Sequence, residues 1–271
     1  ADAGDHIELA AGVHSGPIVI DRSLTLKGRA GSIIDAGGNG RVITVDAPDV
    51  LVSDLTVRGS GDSLATEDSG IFVTAKGDRA RIENNRLIGN LIGVYLKGPD
   101  DAQVLNNDIE GKQIHRVNDR GNGVQLWNTP GSVVQNNRIR YGRDGIFVTT
   151  SHHNRFIGNR LEQLRFAIHY MYAHDSEVSG NHSRGNHVGY ALMYSDRLTV
   201  KNNISEDDRD RGLFLNYVNY SQLQANHIDG SEKCVFIYNA NHNSLHNNRF
   251  ADCQIGIHFT AGSERNKIAG N

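Results

Sequence analysis

A short apolar strand recurs at a nearly fixed interval through the second half of the chain. Six such segments begin at residues 145, 167, 189, 212, 234 and 256, so successive starts are 22, 22, 23, 22 and 22 residues apart. An asparagine precedes each segment by eight or nine residues, at Asn137, Asn159, Asn181, Asn203, Asn226 and Asn248. Repeats of this length, rich in β-branched and turn residues, are typical of solenoids. We therefore predict an all-β fold, a parallel β-helix with coils of about 22 residues.

The repeat predicts a single domain over residues 1–271, because a solenoid adds coils around one continuous core. Residues 1–57 contain several short apolar strands separated by Gly, Pro and Asp, and we assign them to the start of the coil. Residues 58–271 carry the regular repeats. The chain ends within a repeat and without a cap, so we expect a further C-terminal part to be missing.

Two insertions interrupt the regular repeats. The interval from the asparagine to the following glycine is eight residues between Asn85 and Gly93 but sixteen between Asn107 and Gly123. The interval from Asp54 to Gly70 is also sixteen residues, if Asp54 takes the place of the asparagine in the preceding repeat. Insertions near 58–69 and 110–122 are therefore predicted to leave the same corner of the coil, where loops often carry function.

Composition excludes some classes of function. The net charge is −3 with both signs mixed, which gives no electrostatic footprint for nucleic acid. The two cysteines, Cys234 and Cys253, are about three residues out of register, which corresponds to roughly 10 Å along an extended chain. We expect this separation to be too large for a disulfide unless the corner brings the two residues together.

The repeated asparagines are interpreted as structural. Asparagine tolerates the left-handed backbone conformation and bonds to nearby backbone groups. Stacked one coil above the next, such residues form ladders of amide hydrogen bonds.

Alternation along the repeated strand predicts an unusually apolar outward face. The first and third residues after the glycine are nearly always apolar and are predicted to point inward, so the second and fourth point outward. Because contiguous apolar patches often mark binding surfaces, we predict a partner-docking face; a loop or C-terminal extension covering it is the alternative. The docking residues are Trp127, Phe147, Phe214, Phe236, Tyr238 and His258.

Both methionines of the chain fall on this face. Met171 and Met193 are 22 residues apart at the same register, and His169 lies two residues before Met171 on the same side. Two thioethers and an imidazole can converge there, and thioethers select Cu(I). We predict a Cu(I) site at His169, Met171 and Met193; the alternative is that the methionines fill gaps as apolar side chains.

Other polar clusters are weaker candidates. His152 and His174, with Asp175 and Asp196 nearby, allow a second metal site, although a polar solvated edge is the favoured interpretation. The charged run 206–211 is the best place for paired carboxylates, but its mixed signs favour self-pairing. The outward columns lack the carboxylate pair that glycoside chemistry needs.

Five strings resemble the NosD family, the periplasmic accessory proteins of nitrous oxide reductase. They are FAIHYMY (166–172), GNHVGYALMYSD (185–196), GLFLNYVNY (212–220), KCVFIYNAN (233–241) and GIHFTAGSERN (256–266). The resemblance extends over essentially the whole chain and implies a right-handed β-helix of the pectate-lyase type.

The same resemblance implies a non-enzymatic function in the periplasm. The expected partners are an ABC-type ATPase, a membrane-spanning subunit, a lipoprotein copper chaperone and nitrous oxide reductase, whose copper centre the complex helps to assemble. Two alternatives stay open: a carbohydrate-active β-helix, such as a polysaccharide epimerase or lyase, and a metal-free docking scaffold for the reductase.

Overall fold

Three parallel sheets wind around one axis in the computed structural model, which describes residues 1–113, 116–260 and 262–271. The chain visits the sheets in turn and forms a right-handed β-solenoid of about 12 turns. Strands three apart in sequence pair side by side, so each turn hydrogen-bonds to the turns before and after it. The prediction of an all-β right-handed parallel β-helix is confirmed.

The first sheet has twelve strands, most of them three residues long. They are His6–Leu9, Thr25–Gly28, Leu51–Ser53, Arg81–Glu83, Gln103–Leu105, Val133–Gln135, Arg155–Ile157, Glu177–Ser179, Thr199–Lys201, Gln222–Gln224, Ser244–His246 and Lys267–Ala269. The second sheet has eleven, also mostly short. They are Gly12–Ser15, Ser32–Asp35, Thr56–Arg58, Arg86–Asn90, Asp108–Gly111, Arg138–Arg140, Arg160–Glu162, His182–Arg184, Ile204–Glu206, His227–Asp229 and Arg249–Ala251.

The third sheet contains the repeated strands of the sequence and has the longest strands of the three sheets. Its strands are Ile18–Ile20, Ile43–Val45, Ser69–Val73, Ile92–Lys97, Val124–Trp127, Asp144–His152, Phe166–His174, Val188–Asp196, Arg211–Asn219, Lys233–Tyr238 and Ile255–Phe259. Four consecutive strands in the middle are nine residues long. A 3₁₀ turn, Val117–Asp119, is the one helical element in the described ranges.

Apolar side chains of all three sheets fill a continuous core along the axis. In the third sheet Ile146, Ile168, Tyr190 and Leu213 pair in register and are fully buried, as strand alternation predicted. The repeated glycine permits close packing at the start of the strand. A Cβ on Gly145 would lie 2.5 Å from Leu161 Cδ2 and 2.6 Å from the Ala167 carbonyl oxygen.

The repeated asparagines form the predicted ladder. The Asn137 side-chain amide donates to Asn159 Oδ1 at 3.0 Å, and Asn159 donates in the same way to Asn181 at 2.9 Å. The ladder runs through Asn85, Asn107, Asn137, Asn159, Asn181, Asn203, Asn226, Asn248 and Asn271. Each amide also bonds backbone of a neighbouring turn, so the buried polar groups of this corner are satisfied.

Two details of the asparagine interpretation are wrong. The left-handed conformation belongs to the residue before each ladder asparagine, such as Asn136 with φ of 55°. Asp54 occupies that left-handed position, with φ of 59°, and Leu55 holds the ladder place, where its amide donates to Asn85 Oδ1. The two positions are adjacent, and a polar residue at either of them gives the same signal in the sequence.

The two insertions contact one another over the first turns of the third sheet. Lys112 Nζ donates to the carbonyl oxygen of Ser60 at 2.9 Å and pairs with Asp62 at 2.5 Å. Glu67 pairs with Arg41, whose guanidinium lies 3.4 Å from the centroid of the Phe72 ring. Of the predicted 110–122 insertion, residues 114 and 115 lie outside the described residues.

The expectation that Cys234 and Cys253 are too far apart is wrong. The two residues form a disulfide with their Cα atoms 5.6 Å apart. The extended-chain estimate ignored the corner between the second and third sheets, where Asp252 has φ of 49° and turns the chain back. Cys253 therefore lies inside the corner beside Cys234 of the preceding turn.

Candidate functional site

The outward face of the third sheet aligns its side chains in two columns along the solenoid axis. Consecutive strands pair in register, so every second-position residue lies beside its equivalents in the next turns. The first column contains Tyr95, Gln125, Phe147, His169, Ala191, Phe214, Phe236 and His258. The second contains Lys97, Trp127, Thr149, Met171, Met193, Asn216 and Tyr238.

Met171 and Met193 are paired neighbours on adjacent strands. Both side chains are partly exposed, which places both thioethers on the outward face. Paired positions on adjacent strands are separated by about 4.8 Å. His169 precedes Met171 by two residues and is also partly exposed, so all three predicted copper ligands lie on one wall. Whether they bind copper stays a prediction.

His169 is held by a buried carboxylate that the sequence analysis missed. Its Nδ1 lies 2.9 Å from Asp144 Oδ2, and Asp144 is 1% exposed. Since an ionised carboxylate only accepts hydrogen bonds, Nδ1 is the protonated nitrogen of the neutral imidazole, and Nε2 is then the nitrogen that can bind a metal. A carboxylate behind a histidine is the usual arrangement at metal sites.

Arg165 completes this arrangement. Its Nε and Nη2 donate to the two oxygens of Asp144 at 2.8 and 2.7 Å. Burial alone would raise the pKa of Asp144, but the hydrogen bonds from His169 and Arg165 outweigh burial and hold the pKa below its ordinary value. Asp144 is therefore an anion at neutral pH. The only signal in the sequence was a carboxylate at a strand position where the following turns have Phe166 and Val188.

Aromatic rings enclose the imidazole. The rings of Phe147 and Phe166 each lie 5.0 Å from that of His169, measured between centroids. These two rings, together with the hydrogen bond to Asp144, hold the imidazole in a defined orientation.

A second aromatic row, also missed in the sequence, borders the methionines. Tyr172, Tyr194 and Tyr217 stack with ring centroids 5.1 and 5.0 Å apart, and Tyr172 and Tyr217 are half exposed. All three have φ near +50°, a left-handed conformation that is uncommon for bulky residues. Each tyrosine directly follows a residue of the second outward column, and the left-handed bend keeps its ring on the same face. The signal in the sequence was the spacing of the three tyrosines, which is 22 and 23 residues.

The predicted docking residues all lie on the outward face. Trp127 and Tyr238 are 43% and 41% exposed. Phe214, Phe236 and His258 are partly buried and pack on one another, with centroids 5.4 and 5.0 Å apart. At the opposite end of the column Phe72 and Tyr95 are buried, and Arg41, which pairs with Glu67 of the first insertion, lies over the Phe72 ring.

The weaker polar clusters do not assemble into a site. His152 and His174 pair in register, but His174 Nδ1 accepts from the backbone of Asp196 at 3.0 Å. Within the described residues, no group of three or more His, Cys, Asp or Glu side chains is arranged to hold a metal. In the charged run 206–211, Arg211 pairs with Asp210 and Asp208 is buried.

Comparison with known sequences identifies the family. The family model described as "NosD: Periplasmic copper-binding protein (NosD)" matches residues 105–271. The chain belongs to the NosD family. A curated NosD relative from Stutzerimonas stutzeri, named "Probable ABC transporter binding protein NosD", is 38% identical over all of this chain and 65% of its own length. The relative of that name from Pseudomonas aeruginosa PAO1 is 41% identical over all of this chain and 67% of its own length.

Solved structures share the fold at low sequence identity. A family 28 exopolygalacturonase from Yersinia enterocolitica has a TM-score of 0.68 and 11% identity, over 100% of this chain and 74% of that protein. A mannuronan C-5 epimerase module from Azotobacter vinelandii has a TM-score of 0.64 and 12% identity, over 99% of this chain and 91% of the module. At these identities the likeness shows the β-helix alone. The NosD family is periplasmic by its description, and no helix in the described ranges is long and apolar enough to cross a membrane.

Proposed function

We propose that this chain accepts Cu(I) at His169, Met171 and Met193 and passes it to a partner protein, without catalysing a reaction itself. The observation that carries the proposal is the in-register pairing of Met171 with Met193 beside a histidine whose Nδ1 is held by Asp144. Two soft thioethers and one imidazole form a ligand set that prefers Cu(I) to Zn²⁺, Mg²⁺ or Ca²⁺. The family description supports copper as the metal.

The partners follow from the family. The relatives are named as ABC transporter binding proteins, which supports a complex with an ABC-type ATPase and its membrane-spanning subunit. In this proposal a lipoprotein chaperone delivers Cu(I), and nitrous oxide reductase receives it during assembly of its copper centre. The outward face with Phe214, Phe236 and Tyr238 is the docking surface, since it places one exposed and two partly exposed aromatic rings on the same face as the proposed metal ligands.

A partly exposed site with three ligands suits transfer between proteins. A fourth position left open on the solvent side allows an incoming ligand to bind before an outgoing one dissociates. The fixed histidine provides an oriented anchor, while the two flexible thioethers adapt to the changing coordination.

The test is an anaerobic Cu(I) titration of the protein against a chromophoric competitor. Met171→Leu combined with Met193→Leu removes both sulfur atoms at nearly constant side-chain volume, so the fold is retained. We expect at least about tenfold weaker Cu(I) binding, since two of three ligands are lost and even outer-shell changes commonly cost that much.

His258→Gln is the matched control, because His258 lies in the same column as His169 but four turns further on. It should leave Cu(I) binding unchanged. Equal Cu(I) binding by the parent and the double leucine variant would exclude the proposed ligands. Partner capture that is lost in Phe214→Asp with Phe236→Asp, without any Cu(I) binding, would instead indicate a metal-free scaffold, and release of products from alginate or pectin would indicate an enzyme.

A further inference from the structure

A cleft of about 790 Å³ lies beside the proposed copper site, at the corner that leads into the third sheet. One wall is the 3₁₀ turn of the second insertion, with Val117 and Asn118. The opposite wall is formed by three successive turns of the corner, which contribute Phe166, Val188 and Arg211 among others. The cleft is thus a separate concavity that the proposed copper ligands do not line.

Three arginines and two carboxylates line this cleft, and one of the arginines, Arg165, also pairs with Asp144 behind it. Arg165, Arg209 and Arg211 line it together with Asp207 and Asp210. Arg209 is exposed, and although its backbone bonds to Asn186 and Glu232, its guanidinium has no hydrogen bond or ion pair with any described residue. Arg165 directs Nε and Nη2 at Asp144, which leaves its Nη1 without a partner in the described structure.

The remaining charges are partly neutralised among themselves. Asp210 lies 3.3 Å from Arg211 Nη1 and 4.0 Å from His187 Nε2, so it is shared between two cationic groups. Arg211 is fixed in place by two rings, with its Cζ 4.5 Å from the Phe214 centroid and 4.6 Å from that of Phe236. The cleft therefore presents preorganised guanidinium donors with vacant hydrogen-bonding positions, to which a carboxylate is the geometric complement.

The arginines also join the cleft to the aromatic face. The Arg165 guanidinium lies 4.4 Å from the Phe166 centroid, and that ring packs on His169. Arg211 in turn covers the rings of Phe214 and Phe236. An apolar centre bordered by arginine is the composition of protein interfaces, where arginine and aromatic residues carry much of the binding energy.

We propose that the cleft binds an acidic segment of a partner protein. A glutamate or aspartate carboxylate of that segment pairs with Arg209 and the free Nη1 of Arg165, and adjacent apolar side chains lie on Phe166 and Val188. The site needs no copper, so it is independent of the metal ligands proposed above.

Fluorescence anisotropy on the metal-free protein tests this proposal. The probe is a labelled short peptide of alternating glutamate and leucine, compared with a peptide of alternating lysine and leucine. We expect the acidic peptide to bind and the basic one not to bind. Arg209→Glu should weaken the acidic peptide at least about tenfold, since a charge-assisted hydrogen bond is replaced by repulsion, and rising salt should weaken it further.

Two further comparisons keep the outcome decisive. Arg138→Glu is the matched control, because Arg138 is an exposed arginine of the second sheet with only a 3.4 Å contact to Glu162. It should bind the acidic peptide as the parent does, and both variants should have the circular dichroism spectrum of the parent. Undiminished binding to Arg209→Glu, or no binding of the acidic peptide to the parent, would overturn the proposal. Displacement of the peptide by oligogalacturonate or inorganic phosphate at lower concentration than by unlabelled peptide would reassign the cleft to those anions.

Discussion

Two buried carboxylates show how surroundings determine the role of a residue. Asp144 faces Arg165 and His169, and its pKa is lowered because these partners outweigh the cost of burial. Asp208 is equally hidden but faces only neutral donors, the hydroxyls of Ser183 and Ser205, each at 2.5 Å. Burial raises the pKa of Asp208, although the hydrogen bonds of the two serines and of Asn186 act in the opposite direction.

Asp208 occupies a place that an asparagine fills in the previous turn. Asn186 Oδ1 accepts from the backbone of Leu164, and Asp208 Oδ1 accepts from the backbone of Asn186 in the same way. The Asn186 amide nitrogen also reaches the carbonyl oxygen of Leu161 at 2.8 Å. An asparagine at position 208 is therefore expected to accept the same backbone hydrogen bond without burying a charge.

Asp208→Asn should stabilise the protein at neutral pH by about 1 kcal/mol, because it removes a buried carboxylate that burial disfavours in its charged form; single stabilising substitutions commonly have effects of this size. Because the pKa of Asp208 is raised on folding, the folded state binds more protons than the unfolded chain. Protonated Asp208 therefore contributes to the stability of the parent below about pH 4, and this contribution is lost as pH rises through the folded pKa. The advantage of the variant should therefore shrink in acid. Urea unfolding at several pH values measures this, with the exposed Asp207→Asn as control. A pH-independent difference would show that the Asp208 charge is not the cause.

The asparagine ladder is the element whose sequence signal was strongest. Its periodicity alone predicted the buried amide column, because every turn repeats one geometry and the same residue satisfies the same backbone groups. The conformational detail was less accessible. Asn136 and Asn137 are adjacent asparagines that the sequence does not distinguish, yet the first adopts the left-handed conformation and the second forms the ladder.

Asn159→Ala should destabilise the protein by about 3 kcal/mol or more. Asn159 Oδ1 accepts from the backbone and side chain of Asn137, and its amide nitrogen donates to the carbonyl oxygen of Val134. The change leaves these buried groups unsatisfied, and each costs about 1–3 kcal/mol. Equilibrium urea unfolding measures the loss. The exposed Gln224→Ala, on the first sheet, should change stability little, and a similar value for both variants would mean that the ladder contributes no more than a surface residue.

Periodicity predicted the outward columns but not what lies behind them. The placement of Met171 beside Met193 followed from counting turns, since parallel strands in a regular solenoid keep their register. Asp144 and Arg165 were not predicted, because their contact depends on a corner residue of one turn reaching the strand of the turn before. The Cys234–Cys253 disulfide was missed for the same reason, as the corner geometry has no sequence period.

At the scale of the whole molecule, the insertions divide the outward face into a covered and an open part. Near the first insertion, Phe72 and Tyr95 are only 3% and 4% exposed, whereas Phe147, His169 and Phe214 further along the face are partly exposed. Lys112 joins the second insertion to the first through the carbonyl oxygens of Ser60 and Gly61. The two loops therefore act together as one cover, and the open part of the face begins where they end.

Lys112→Met should loosen this cover without unfolding the solenoid. The side chain is largely buried and bonds Ser60, Gly61 and Asp62, so its replacement removes the charge-assisted hydrogen bonds that join the loops while keeping an aliphatic stem. Backbone amide hydrogen exchange over residues 58–69 should become at least about tenfold faster, since one such bond is worth about 1.5–3 kcal/mol, while the ladder amides exchange as before. Lys97→Met, which removes only the Glu67 pair, should have a smaller effect. Unchanged exchange over 58–69 would mean that the first insertion is held by its own contacts, such as the Glu67–Arg41 pair, and not by the second insertion.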